Sequence, residues 1–301
     1  MEIRINNETV DFTLEHEKVL GEVVDGVQEW LAVNGFMLTA VRRDTADLKL
    51  GDRLEWQDDP VDEISSLEIT ALHPTDLAID KLTAIIQYLE LIVEDGNAHS
   101  PVIADLLKGI DDVSQMIDGA VLSETNGGAT FGSQFKTLAD ATGITTGEVH
   151  TDNFQEFLRY VSELVIVLRS RLRELSDPLA ELKSSVPLLR EALDNTGEIS
   201  VFLQTGDDRE ALGRLVRFLE ISQKMLRLIH RLNEHAILDL GGLDIEGAAI
   251  SEFTGELNGY LIELSKAIEA GDTVLTGDLL EYEIGPRLAA LLKTLEKSGV
   301  L

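Results

Sequence analysis

Cysteine is absent from all 301 residues. A disulfide framework, cysteine-ligated zinc, iron–sulfur clusters and thiol catalysis are excluded together. Aromatic residues are scarce at 5%, so a core must be built mostly of Leu, Ile and Val, as in packed helices. Bases are few: 25 Lys and Arg face 55 Asp and Glu, a net charge of −30. That field repels nucleic-acid phosphates and anionic lipid surfaces, so neither nucleic acid nor membrane is expected as a partner. It favours solubility and would also attract a basic protein. Long hydrophobic runs are missing too. The best candidate, Ile79 to Val93, is interrupted by Asp80, Lys81 and Glu90, short of the roughly 18 apolar residues of a membrane span. Met1-Glu2-Ile3-Arg4 passes straight into strand-like alternation without a basic-then-apolar leader, so a cytoplasmic location is the expectation.

What is present suggests two parts. The length exceeds a usual single domain, and an apolar share of 44% can bury a substantial core. Near the start, Ile3 and Ile5 alternate with Glu2 and Arg4, Asn6-Asn7 offers a two-residue turn, and Val10, Phe12 and Leu14 resume the alternation. This spacing predicts a β-hairpin with one buried face. The period then changes. Leu20, Val23, Val24, Val27, Trp30 and Leu31 recur at helical spacing, and Asn34-Gly35 supplies a left-handed stop. A strand is predicted over Phe36 to Val41, a short one around Arg53 to Trp56, and a last one over Ser66 to Leu72 with Leu67, Ile69 and Ala71 inward.

This order of elements in residues 1–73 resembles the β-grasp, or ubiquitin-like, superfamily. The resemblance covers about a quarter of the chain and rests on element order rather than a chemical motif. Members that act as carriers or conjugated tags use a free Gly-Gly end. Here the strand continues through Leu72-His73-Pro74, and the last residues are Ser298-Gly299-Val300-Leu301, so conjugation chemistry is not expected. The resemblance then implies a docking surface on the sheet or its edges.

The remainder reads as helical. Leu82, Ile85, Leu89 and Ile92 form one stripe, and Ile103, Leu106, Ile110, Val113, Ile117 and Ala120 another, predicting a helical hairpin over 75–122. A glycine-rich connector over 123–150 follows, with a short helix at Phe135 to Ala141. A bundle is expected over 151–301. Its stripes run Phe154, Phe157, Val161, Leu164, Leu168, Leu172, then Leu179, Leu182, Val186, Leu189, Leu193. Pro178 and Pro187 are expected to break or kink the run, with Ser184 and Ser185 capping a new helix. Asp207 opens a further helix with Leu212, Leu215, Leu219, Leu226 and Ile229 inward, and two more span about 246–270 and 273–297. The expected fold class is α+β: a ubiquitin-like β-grasp domain, then an all-α antiparallel helical bundle. Sustained three–four spacing also suits a homodimer.

No catalytic signature emerges. His230 and His235 lie five apart, roughly 500° of helical turn, so both do not reach one ion. The acids of Asp58-Asp59-Pro60-Val61-Asp62-Glu63 lack the glycine pivot of a calcium loop, and those between Asp239 and Glu246 miss its spacing. Gly127-Gly128-Ala129-Thr130-Phe131-Gly132 follows no strand and lacks the Gly-Lys-Ser/Thr of a phosphate loop. No catalytic residue, cofactor or metal is assigned. The bases are unevenly placed: 12 of the 25 lie in two helical stretches. Arg169, Arg173, Arg217, Lys224, Arg227 and Arg231 are the candidate interaction surface, weighed against simple salt-bridged helix faces. The expected function is a non-enzymatic interaction protein, an adaptor, scaffold or assembly factor whose partner is another protein. The alternatives are an acidic helical chaperone for a secreted or flagellar-type protein, and an enzyme or ligand sensor with a pocket in the bundle core.

Overall fold

In the computed structural model, described over residues 1–10, 16–97, 102–121, 130–144, 150–205, 207–234, 237–238, 240 and 242–301, the opening alternation folds as strands β1 (Glu2–Ile5) and β2 (Glu8–Thr9). Asn6 and Asn7 both take positive φ, 52° and 69°, the geometry of a tight hairpin turn that asparagine tolerates. Phe12 and Leu14, expected on the return strand, lie outside the described residues. Helix α1 (Leu20–Val33) buries Leu20, Val23, Val24, Val27 and Leu31. At its start the Glu22 carboxylate accepts from the backbone N–H of Lys18 at 2.7 Å, satisfying a donor that a helix end leaves bare. It stops at Gly35, φ 78°, where Phe36 N–H donates back to the Leu31 carbonyl at 2.8 Å, as the 3.6-residue pattern and Asn34-Gly35 predict.

Strand β3 (Met37–Arg43) turns at Asp44 into β4 (Ala46–Leu48), and β5 (Ser66–Leu72) closes the sheet. The five strands lie in the order β2-β1-β5-β3-β4. The β1–β5 pair is parallel, Ile3 facing Leu67 and Ile5 facing Ile69, and the other pairs are antiparallel. The strand expected around Arg53 to Trp56 is instead a 3-10 helix, Leu50–Glu55. The short strand lies earlier, at Ala46–Leu48, where Asp44 with φ 52° makes the turn. Ile3, Val41, Leu67, Ile69 and Ala71 meet the α1 stripe in one core with Trp56, Val61 and Ile64.

The helical part divides between two compact units, Met1–Leu175 and Ser176–Leu301. In the first, helices α2 (Pro74–Asn97), α3 (Ile103–Leu106), α4 (Ile110–Val121), α5 (Phe131–Ala141) and α6 (Thr151–Ser176) share a core centred on Leu89, Ile117, Phe135, Phe157 and Leu168. The stripe expected to be one helix from Ile103 to Ala120 tightens into a 3-10 turn at Leu107–Gly109. Residues 122–129 and 145–149 of the expected connector lie outside the described residues. Between them α5 begins at Phe131, four residues earlier than the spacing implied, because Thr130 caps it by accepting from Ser133 N–H at 3.1 Å. Asp118 of α4 completes this end: its carboxylate accepts from Gly132 N–H and from Thr130 Oγ1, each at 2.7 Å. Gly132 lies so close to α4 that an added Cβ would stand 2.0 Å from the Ser114 carbonyl oxygen.

In the second unit, α7 (Pro178–Asp194), α8 (Thr196–Thr205), α9 (Asp208–Glu234), the small hairpin β6 (Asp244–Ile245) and β7 (Ala248–Ala249), α10 (Ile250–Ala270), α11 (Thr273–Asp278) and α12 (Gly285–Lys297) enclose a core rich in leucine. Pro178 starts α7, where its missing N–H is harmless. Of the break or kink expected at Pro187, the break does not occur: α7 runs through it. The proline lies on the exposed face with Lys183, so the carbonyl it leaves unpaired faces water. Ser184 and Ser185 cap nothing; both hydroxyls donate back to the Glu181 carbonyl, at 3.0 and 2.7 Å. On α9, Leu215, Leu226 and Ile229 are buried, but Leu212 is 49% exposed, and Ala211 and Phe218 take the inward positions. The single helix expected over 273–297 is interrupted by a π turn at Leu279–Ile284. Pro286 has no N–H to continue the α ladder, and Gly285 donates instead to the Leu280 carbonyl.

Gly132→Ala should destabilise the protein by about 1–3 kcal/mol or more, through forced overpacking against backbone. Gly119→Ala, on α4 with nothing within 4 Å, should stabilise it by roughly 0.4–1 kcal/mol. Urea denaturation of both variants checks the contrast. Tyr160 Oη donates to the Phe131 carbonyl at 2.9 Å, and burial, helped by the charge of Asp118, pushes its phenol up to about 12. The folded state thus holds this proton more tightly than the unfolded chain. Stability from it is complete below pH 10 and lost as pH rises from about 10 to 12. Ultraviolet titration should show a late phenolate step that disappears in Tyr160→Phe.

Candidate functional site

Strand β3 is paired along its whole length by β5 on one side, but β4 covers only Val41 to Arg43 on the other. Among the described residues, Met37 to Ala40 therefore present an outer edge that no strand of the sheet occupies. A bulge falls there: Leu38 faces Ala71 and Ala40 faces Thr70, leaving Thr39 as the extra residue. Bulges at sheet edges re-aim side chains and end regular pairing.

Beside that edge lies a hollow of about 200 Å³ lined by Val24 and Gln28 of α1, Leu38 of β3, and Leu50, Arg53 and Trp56. The three last residues are spaced by three and come from two short 3-10 turns that meet at a kink at Asp52, with Trp56 just past the end of the second. The wall is firmly held. Trp56 is buried, and its indole N–H donates to the Lys49 carbonyl at 3.0 Å. The Arg53 guanidinium lies 5.9 Å from the Trp56 ring centre and donates to Asp25 of α1 at 2.6 Å. Those bonds to Asp25 raise its affinity for the proton still further. Leu50 is partly exposed at the mouth, and Leu54, out of the three-residue row, is 84% exposed. Trp30, Val33, Phe36 and Met37 are also exposed apolar residues. Trp30, however, lies roughly 120° around α1 from Val24, on the helix's other flank.

The candidate basic residues fall into two groups. Arg169 and Arg173 are on α6 of the first unit, and Arg217, Lys224, Arg227 and Arg231 form one stripe of α9 in the second. Arg169 bonds Glu90 of α2 at 2.5 Å, and Lys224 bonds Glu181 of α7 at 2.5 Å. Arg217 donates to the Gly213 carbonyl at 3.1 Å. His230 lies 3.2 Å from Glu234, while His235 is outside the described residues. Asp59 pairs with Arg43, and Asp244 accepts from Gly247 N–H at 2.9 Å in the β6–β7 turn. Among the described residues no group of three His, Asp or Glu side chains is placed to hold a metal ion. No described helix is long and apolar enough to cross a membrane.

Residues 1–73 match the family described as the TP0873 N-terminal domain. Residues 180–294 match a domain of unknown function, DUF8042. A stretch of 120 residues, 40% of the chain, is 31% identical to a protein of Treponema pallidum (strain Nichols) described as uncharacterized, and spans 54% of that protein. No solved structure matches the chain.

Trp56→Ala should cost about 3–5 kcal/mol, as for other buried aromatic truncations. Arg53→Ala breaks an ion pair whose side chains are 38% and 52% exposed and should cost no more than about 1 kcal/mol beyond its packing. Chemical denaturation of the two variants ranks apolar burial against charge at this wall.

Proposed function

We propose that this protein is a non-enzymatic interaction module, an adaptor, scaffold or assembly factor, in which residues 1–73 are a β-grasp docking domain. The β-grasp assignment is supported by the strand order with β5 central and parallel to β1, and by α1 following the first hairpin. The docking role rests on one observation above all. The open outer edge of β3 adjoins a preformed hollow with Val24, Leu38, Leu50 and Trp56 in its lining, backbone donors and acceptors beside a place for a side chain. Edges left bare are usually blunted or covered; here the two features share Leu38.

The helical remainder would then hold or assemble what the first domain recruits. The partner in this reading is another protein. Exposed Leu212 and Val216, one turn apart on α9, favour a second apolar contact in the helical part, as the chaperone alternative would require.

A photo-crosslinking residue placed at Leu54 of the full chain should trap a discrete protein in lysate of the native cell. Leu50→Asp in the same chain should lower that yield about tenfold. Equal trapping with and without Leu50→Asp, or none at Leu54, would refute docking at this edge.

A further inference from the structure

We infer that the occupant of the β3 edge is a short extended segment carrying one large apolar side chain flanked by Lys or Arg; this rests on the docking role proposed above. The hollow argues for one side chain: at about 200 Å³ it is smaller than the roughly 300–1,000 Å³ of sites that enclose a small molecule. The neighbouring backbone argues for an extended segment, since Met37 to Ala40 have no partner strand on the outer side among the described residues and an added strand takes its hydrogen bonds from such an edge.

Charge decides among occupants. Flanking the lining residues in sequence are Asp25 on α1 and Asp52, Glu55, Asp58 and Asp59 around the 3-10 turns, against Lys49 and Arg53; Asp59 is paired with Arg43. Both bases are already engaged, Arg53 with Asp25 and Lys49 with Asp52 at 3.7 Å. Glu55 and Asp58 are exposed, and no ion pair satisfies them among the described residues. An arriving Lys or Arg meets these carboxylates, whereas an acidic segment is repelled. A second copy of the chain brings another charge of −30, which disfavours edge-to-edge self-pairing. Electrostatic attraction of this kind acts mainly on the association rate and is screened by salt.

The test pans a phage library of random decapeptides on the full-length protein and measures fluorescein-labelled enriched peptides by anisotropy. Enriched peptides should place Lys or Arg beside Leu, Ile, Phe or Met. Leu50→Asp should weaken them tenfold or more, and the double change Glu55→Lys with Asp58→Lys should weaken them by a similar factor. Binding should fall about tenfold between 50 and 300 mM NaCl. If Leu50→Asp unfolds the domain, Gln28→Arg, at an exposed position of the same hollow, takes its place. Enrichment of neutral or acidic peptides that the hollow variants still block overturns the basic occupant and leaves docking intact. Enriched peptides indifferent to the hollow variants, or no enrichment, overturn both. Self-association in sedimentation that Leu50→Asp abolishes, without peptide binding, assigns the edge to a second copy and overturns the inference.

Discussion

The N-terminal domain depends on the burial of β5 under α1. Leu67, Ile69 and Ala71 point into the core with no more than 2% exposure, and a slip of one residue would turn all three to solvent. Their register is pinned from both sides. Asn6, in the first turn, both donates to and accepts from the backbone of Ala71 at 2.8 and 2.9 Å, tying the hairpin to the strand. Asp44, in the second turn, accepts from Ser65 and Ser66 N–H at 3.0 and 2.8 Å. With β1 and β3 fixed on either side, the outermost positions fall to the two shortest strands, and β4 is too short to cover β3. The open edge is thus a result of strand lengths once the centre is set.

The same accounting shows why apolar burial outweighs charge in this chain. Each of the five inward α1 side chains contributes roughly 1.5–3 kcal/mol, whereas an exposed ion pair such as Arg42–Asp47 contributes roughly 0–1 kcal/mol. The excess of acids is therefore not what holds the fold. It sets the field around the molecule.

Elements with a sustained period were legible in the sequence. The stripe Leu20 to Leu31 and the alternation Leu67-Ile69-Ala71 each specify one face, and the strand Ser66–Leu72 has the expected bounds. The departures come where one local rule is answered by another. Pro187 is expected to break or kink its helix, but on the wet side of α7 the carbonyl it frees is solvated and the helix runs on. Gly285-Pro286 lies inside the helix expected over 273–297, and the missing Pro286 N–H goes with a π turn there. Leu212 fits the leucine stripe of α9 by spacing, but Ala211 and Phe218, seven residues apart, take the inward positions. The hollow was not legible as a site because its side chains come from a helix, a strand and a 3-10 turn that meet only in three dimensions. Its one local trace, Leu50, Arg53 and Trp56 at three-residue spacing, is shorter than any periodicity window. The basic residues were visible in sequence, but their ion partners, Glu90 and Glu181, lie 79 and 43 residues away.

Both tryptophans of the chain, Trp30 and Trp56, lie in the first 73 residues, on different flanks of one helix, one 48% exposed and the other 4%. The intrinsic indole emission of the whole molecule is therefore a signal from the sheet domain alone, silent about the helices that make up most of the mass. Within that signal the two indoles separate by environment: a quencher dissolved in the solvent reaches Trp30 first. The buried component then belongs to the wall of the hollow, an optical label already built in at the place where a partner would arrive.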